Sequence, residues 1–181
     1  MSARVVFVSA LLLAAARGLG AQAVRASEYQ VKAVFLFNFA QFVDWPPEAF
    51  NDPQAPLVIG VLGDDPFGPV LDATVRGETV RGRPLEIRRS RRIDEILTCH
   101  ILFISQSEAD RLDDIVAALR SRPILTVGDG ETFARRGGVV RLVVERGRVR
   151  FHINLEAAAA ARLTISSKLL RLAEIVPRRG R

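Results

Sequence analysis

Three residues of the segment Val149-Arg150-Phe151-His152-Ile153-Asn154 combine types and spacing that could do chemistry. Strand residues alternate faces, so Arg150, His152 and Asn154 share one side while Val149, Phe151 and Ile153 share the other. That side carries a guanidinium, an imidazole and an amide, each about 7 Å from the next. Arginine offers a planar fork to carboxylate or phosphate, histidine a charge that titrates near neutrality, and asparagine both a donor and an acceptor. The set suits recognition of a small anionic ligand. The same alternation also describes the outward face of an ordinary edge strand, and alternation alone does not separate the two readings. Trp45, the only tryptophan, is held at a corner by Pro46 and Pro47 and would add a stacking face wherever the fold brings it to Arg150, His152 and Asn154.

Catalytic patterns are missing around these residues. Of the two histidines, His100 adjoins an apolar strand, and His152 has neither a marked cysteine nor a Gly-x-Ser-x-Gly serine as partner. No second histidine or cysteine lies at metal-ligand spacing from His152. Asp64, Asp65 and Asp129 are the acids a hydrolase would use, but all three fall in turn-like stretches where aspartate is common. No Gly-Lys-Ser/Thr element exists, and Gly60, Gly63 and Gly68 do not fit the dinucleotide spacing. The expectation is a binding protein rather than an enzyme, with no cofactor and no metal.

The N-terminus narrows the compartment. Arg4, an apolar run from Val5 to Ala16 and the small-residue tripeptide Ala21-Gln22-Ala23 follow the order of a secretory signal peptide. The run is about 12 residues, short of the roughly 20 that a spanning helix needs. Residues 1–23 are therefore expected to be a signal peptide and 24–181 a single exported domain. The formal net charge is +6, and its excess is local, with seven arginines between Arg76 and Arg92 against Glu78 and Glu86. No aromatic residues are interleaved with them, so nucleic acid is not the expected partner. A solvated basic face or a docking patch for an acidic surface fits better. Cys99 is the only cysteine, so no internal disulfide can form.

The elements that must position these residues follow from periodicity. Ser27 is a helix N-cap candidate, followed by Val31, Val34, Phe35, Phe39 and Phe42 at helical spacing until Asp44-Trp45-Pro46-Pro47 stops the helix. An alternation follows, with strands at Leu57–Leu62, Leu85–Arg88, Ile101–Ile104 and Ile124–Val127. Helical segments are expected at Phe67–Val75, Ile93–Leu97, Ala109–Arg120 and Thr132–Arg135. Val139–Glu145 and Arg148–Asn154 must form a hairpin, because Arg146-Gly147 is too short for a crossover. A long helix from Leu155 to about Ile175 is expected to close the chain. The resulting fold class is a single three-layer α/β domain: a mostly parallel sheet of about four strands flanked by helices, extended by an antiparallel hairpin and the closing helix.

Several of these stretches together carry a family resemblance: Tyr29-Gln30-Val31-Lys32-Ala33, Phe42-Val43-Asp44-Trp45-Pro46, Cys99-His100-Ile101-Leu102-Phe103-Ile104, Ile124-Leu125-Thr126-Val127-Gly128-Asp129, Phe133 to Gly138, Arg150 to Asn154 and Leu163 to Leu170. The chain resembles the YfiR/HmsC-type periplasmic proteins. The resemblance implies repression of a membrane-bound diguanylate cyclase by binding its periplasmic sensor region, with effects on cyclic di-GMP, exopolysaccharide and biofilm formation. It further implies a homodimer and a small-molecule pocket lined by an arginine-x-histidine pair, matched here by Arg150 and His152. Studied members tune repression through disulfides, a device that a lone Cys99 excludes within this chain. The surfaces expected to dock are the first helix with Phe42, the Trp45 corner and the basic segment with Arg88 and Arg89. The alternative reading is a periplasmic module that captures a small anionic solute and feeds a sensor kinase or transport system.

Overall fold

The computed structural model describes residues 25–177, so the expected signal peptide lies outside the described residues. Helix α1 covers residues 25–42. It is already running at residue 25, so Ser27 sits inside it rather than capping it. Strand β1 (Val43–Asp44) leads to the proline corner, and β2 (Leu57–Leu62) is buried along its whole length. Helix α2 (Pro69–Val75) begins on a proline, whose missing N–H costs nothing at that position. Strands β3 (Thr79–Val80) and β4 (Arg83–Ser90) form a hairpin across Arg81-Gly82, both at positive φ, as a two-residue turn of the primed type demands. Strand β4 is longer than the apolar core of Leu85–Arg88 suggests, because an edge-side strand can keep pairing through polar residues.

Strand β5 (Ile101–Ile104), helix α3 (Leu112–Ala118), β6 (Leu125–Gly128), β7 (Val140–Glu145) and β8 (Arg148–Ile153) complete the main sheet. The expected Ala109–Arg120 helix is α-helical only from Leu112, since Gln106–Arg111 winds as a tighter 3-10 segment capped by Ser105. Strands β4, β2, β5, β6 and β7 run parallel in that spatial order, and β8 turns back antiparallel on β7. The Arg146-Gly147 turn has positive φ at both residues, which closes the hairpin expected there.

The expected closing helix is replaced by four short elements: α4 (Leu155–Ala160), β9 (Thr164–Ile165), α5 (Ser167–Leu170) and β10 (Glu174–Ile175). Arg162 takes a left-handed φ of 55° and ends the first helix. Thr164 and Ile165 then pair with Asp44 and Val43, and the Ser166 hydroxyl accepts from Leu169 N–H to start α5. Strand β10 adds to β8 in parallel, so β8 is not an edge.

Two cores sandwich the sheet. One joins Leu36 and Phe39 of α1, Leu71 of α2 and Leu163 and Leu169 to Ile59, Phe103, Leu125, Phe151 and Ile153. The other joins Leu112 and Ile115 of α3, Ile96 and Phe133 to Val58, Leu62, Leu102 and Ile104. Phe133 needs glycine on both sides: a Cβ on Gly128 would come within 2.5 Å of its ring, and one on Gly138 within 2.1 Å. Among the described residues no helix is long and apolar enough to cross a membrane.

Candidate functional site

The alternation expected in β8 holds on its core side. Phe151 and Ile153 are buried, and Phe151 packs against Phe35 and Phe39 of α1 with ring centroids 5.5 Å away in each case. The opposite face belongs to a row of paired residues that crosses the sheet: Leu62, Ile104, Gly128, Arg141, His152 and Glu174. The row is apolar under α3 and turns polar where β7, β8 and β10 project beyond it.

His152 lies among charged groups there. Its Nε2 is 3.6 Å from Oε1 of Glu145 and 3.5 Å from Oε2 of Glu174, and it makes no hydrogen bond although it is sealed from solvent. Arg150 is outward, 60% exposed, with its Nε 3.8 Å from Glu145 Oε2. Asn154 does not stand with them as a recognition group. Its side chain accepts from Ala157 N–H and donates to the Ala134 carbonyl, capping α4 and tying it to the loop before β7. Trp45 is not brought to this face either. Its indole N–H donates to the carbonyl of His100 at the amino end of β5.

His100 itself is a structural residue. Its Nδ1 accepts from Val58 N–H at 3.0 Å, its Nε2 lies 3.1 Å from the Ala49 carbonyl, and its ring stacks on Phe50 at 4.3 Å. Burial pulls its pKa down to about 4, which keeps it neutral at ordinary pH. Cys99 beside it is buried, and its thiol is pushed up to about 11 for the same reason.

A second polar locus lies at the carboxyl ends of β5 and β6, where parallel sheets open toward ligands. Asp129 accepts from Tyr29 Oη at 2.8 Å, Lys32 Nζ at 2.6 Å and Gln106 Nε2 at 3.2 Å. Lys32, also paired with Glu28, is 2% exposed, so α1 is pinned to the end of β6 by a buried ion pair. Burial and the Asp129 carboxylate raise the Tyr29 phenol well above its ordinary range. Cavities of about 420 and 550 Å³ flank this group and share Gln106, Asp129 and Arg141. Lys32 was the available signal in the sequence, a cation set directly before the apolar stretch Ala33–Phe37 of α1. With Asp129 held by three donors and Asp65 by Arg89, neither acid is poised as a free base.

The basic segment is largely self-neutralised. Arg89 donates to Asp65 and to both oxygens of Asp72, and it holds the Asp72 carboxyl below its usual range. Arg91 pairs with Asp64, Arg92 with Asp94, and Arg81 with Asp44. Arg88, 44% exposed, donates to Thr98 and lies 3.5 Å from Glu86. Phe42 is half-buried against the α1-side core.

The fold is thus a three-layer α/β domain whose parallel sheet ends in an antiparallel hairpin. Residues 29–174 match the model of the YfiR/HmsC-like family, and the chain belongs to that family. No curated protein matches the sequence. Among solved structures it is similar to a conserved domain protein from Vibrio cholerae O1 biovar El Tor, with 13% identity and a TM-score of 0.50, covering 67% of this chain and 55% of that one. It is also similar to an ABC domain in complex with L-Trp from Streptococcus pneumonia, with 13% identity and a TM-score of 0.48, covering 66% of this chain and 55% of the other. This chain thus spans about half the length of both, and the likeness to the first concerns the fold alone.

Proposed function

We propose that this protein is an exported regulator that docks on the extracytoplasmic sensor region of a membrane-bound enzyme of the diguanylate cyclase type and holds that enzyme inactive. Its presence would then lower cyclic di-GMP and restrain exopolysaccharide and biofilm formation. The observation that carries this reading is the family match over residues 29–174, nearly the whole described domain. Val31 and Val34, 43% and 47% exposed and one turn apart on α1, support a docking face on the same helix as Phe42. The protein works as a homodimer, and Arg150 and His152 receive the ligand that sets its state.

The test is capture of the cyclase from solubilised membranes on the immobilised protein, combined with assay of the captured enzyme. Binding with reduced turnover is expected. An unchanged cyclase rate at saturating protein would overturn the reading. Arg88→Glu is the clean probe of the basic patch, because Arg89→Glu would also break the contacts to Asp65 and Asp72. Charge reversal at Arg88 with full partner binding would remove the patch from the interface.

A second reading, capture of a small anionic solute for a sensor kinase or transport system, draws on the cavities around Gln106, Asp129 and Arg141. It separates from the first by where the ligand sits: Arg141→Ala, in the cavity lining, should abolish ligand-induced thermal stabilisation under this reading, whereas Arg150→Ala and His152→Ala should do so under the first, each leaving the apo fold intact.

A further inference from the structure

Among the described residues, one group of histidine and carboxylate side chains converges with a donor atom from each within 4.8 Å of the others: Glu145, His152 and Glu174. They come from three adjacent strands, β7, β8 and β10, so the sheet rather than a loop sets their spacing. His152 Nε2 lies 3.6 and 3.5 Å from the two carboxylates, outside the usual N–H···O range of about 2.7–3.2 Å. A tetrahedral ion with bonds of about 2.1 Å holds neighbouring ligands about 3.4 Å apart, which is close to that spacing. The nitrogen is also buried with no hydrogen-bond partner, a state that otherwise costs stability. The carboxylates stay accessible, at 45% and 71% exposure, so an ion can enter without opening the core.

We infer that Glu145, His152 and Glu174 form a binding site for a divalent transition-metal ion. One imidazole and two carboxylates suit zinc and its neighbours in the first transition row, whereas magnesium and calcium prefer an all-oxygen shell. The two carboxylates balance the dication, and three protein ligands leave open positions for water or an anionic ligand. Arg150, with its Nε 3.8 Å from Glu145, competes with the ion for that carboxylate. Bound metal would also fasten β10, which otherwise holds to β8 through a two-residue ladder and the Val176 N–H to Ile153 carbonyl bond. The inference stands independently of the docking proposal.

The experiment is calorimetric titration of the purified protein with Zn²⁺ at neutral pH, with limited proteolysis of the C-terminal segment as a second readout. One equivalent of Zn²⁺ is expected to bind, unaffected by excess Mg²⁺, and to slow cleavage near Glu174. Glu174→Gln and His152→Asn should each weaken binding at least about tenfold. Glu174 is exposed, so its variant keeps the fold and the result remains readable if His152→Asn does not. Arg150→Ala should tighten binding by about two- to fivefold. Absence of saturable Zn²⁺ binding, or undiminished affinity in Glu174→Gln, would overturn the assignment. With Co²⁺ as probe, a thiolate charge-transfer band would place the ion at Cys99 instead and would equally overturn it.

Discussion

The two histidines occupy opposite conditions in one sheet. His100 has both ring nitrogens within hydrogen-bond distance of backbone groups, a ring stacked on Phe50 and only 5% exposure. His152 has a buried Nε2 with no partner and two carboxylates just beyond hydrogen-bond range. A satisfied imidazole is part of the scaffold, because replacing it strands the groups it serves. An unsatisfied one between acids has binding capacity left over. Residue type alone does not distinguish them; the count of partners does.

The largest expected effect tests that contrast directly. His100→Ala strands the Val58 N–H and the Ala49 carbonyl and unstacks Phe50, a loss of about 3–4 kcal/mol in unfolding free energy. His152→Ala should stay within about 1 kcal/mol, because no hydrogen bond is lost. Comparable losses in urea unfolding would break the distinction. The pH dependence comes next. His100 titrates at about 4 in the fold against 6.5 when unfolded, so the unfolded chain binds the extra proton first as pH falls. Its contribution, up to about 3 kcal/mol, is complete above 6.5 and is lost between 6.5 and about 4. Denaturation midpoints across that window should flatten in His100→Gln. The smallest effect sharpens the boundary within β8's own neighbourhood. Asn154→Ala should cost about 1 kcal/mol through its lost cap and leave Zn²⁺ affinity unchanged.

Much of the scaffold was readable from local signals. The parallel core follows from apolar runs such as Ile101–Ile104, and the hairpin from the shortness of Arg146-Gly147. The core face of β8 follows from simple alternation. The closing segment was not readable, because an alanine-rich start at Leu155 and periodic leucines imitate one helix. What breaks it is tertiary: Thr164 and Ile165 pair with β1 more than a hundred residues away. That error also hid the site. Glu174, read as a helix residue, had no reason to meet His152, and Glu145 comes from the far end of β7. Metal spacing sought along the chain misses ligands that a sheet assembles side by side. Asn154, by contrast, is engaged locally, its side chain capping α4 and bonding the Ala134 carbonyl. Trp45 was placed at a rigid corner as expected, but at the end of the sheet where His100 sits.

The pin between Lys32 and Asp129 has a consequence for how the chain reaches this fold. The two residues are 97 apart, and α1 is the first described element to leave the ribosome. Its apolar faces therefore lack their native partners until most of the sheet exists, and its buried ammonium has only Glu28 of the same helix as an ion-pair partner. Assembly must close this long-range contact late, which slows folding and leaves a sticky helix exposed in the meantime. Residues 31–42 are therefore the stretch where non-native association before the sheet forms costs most.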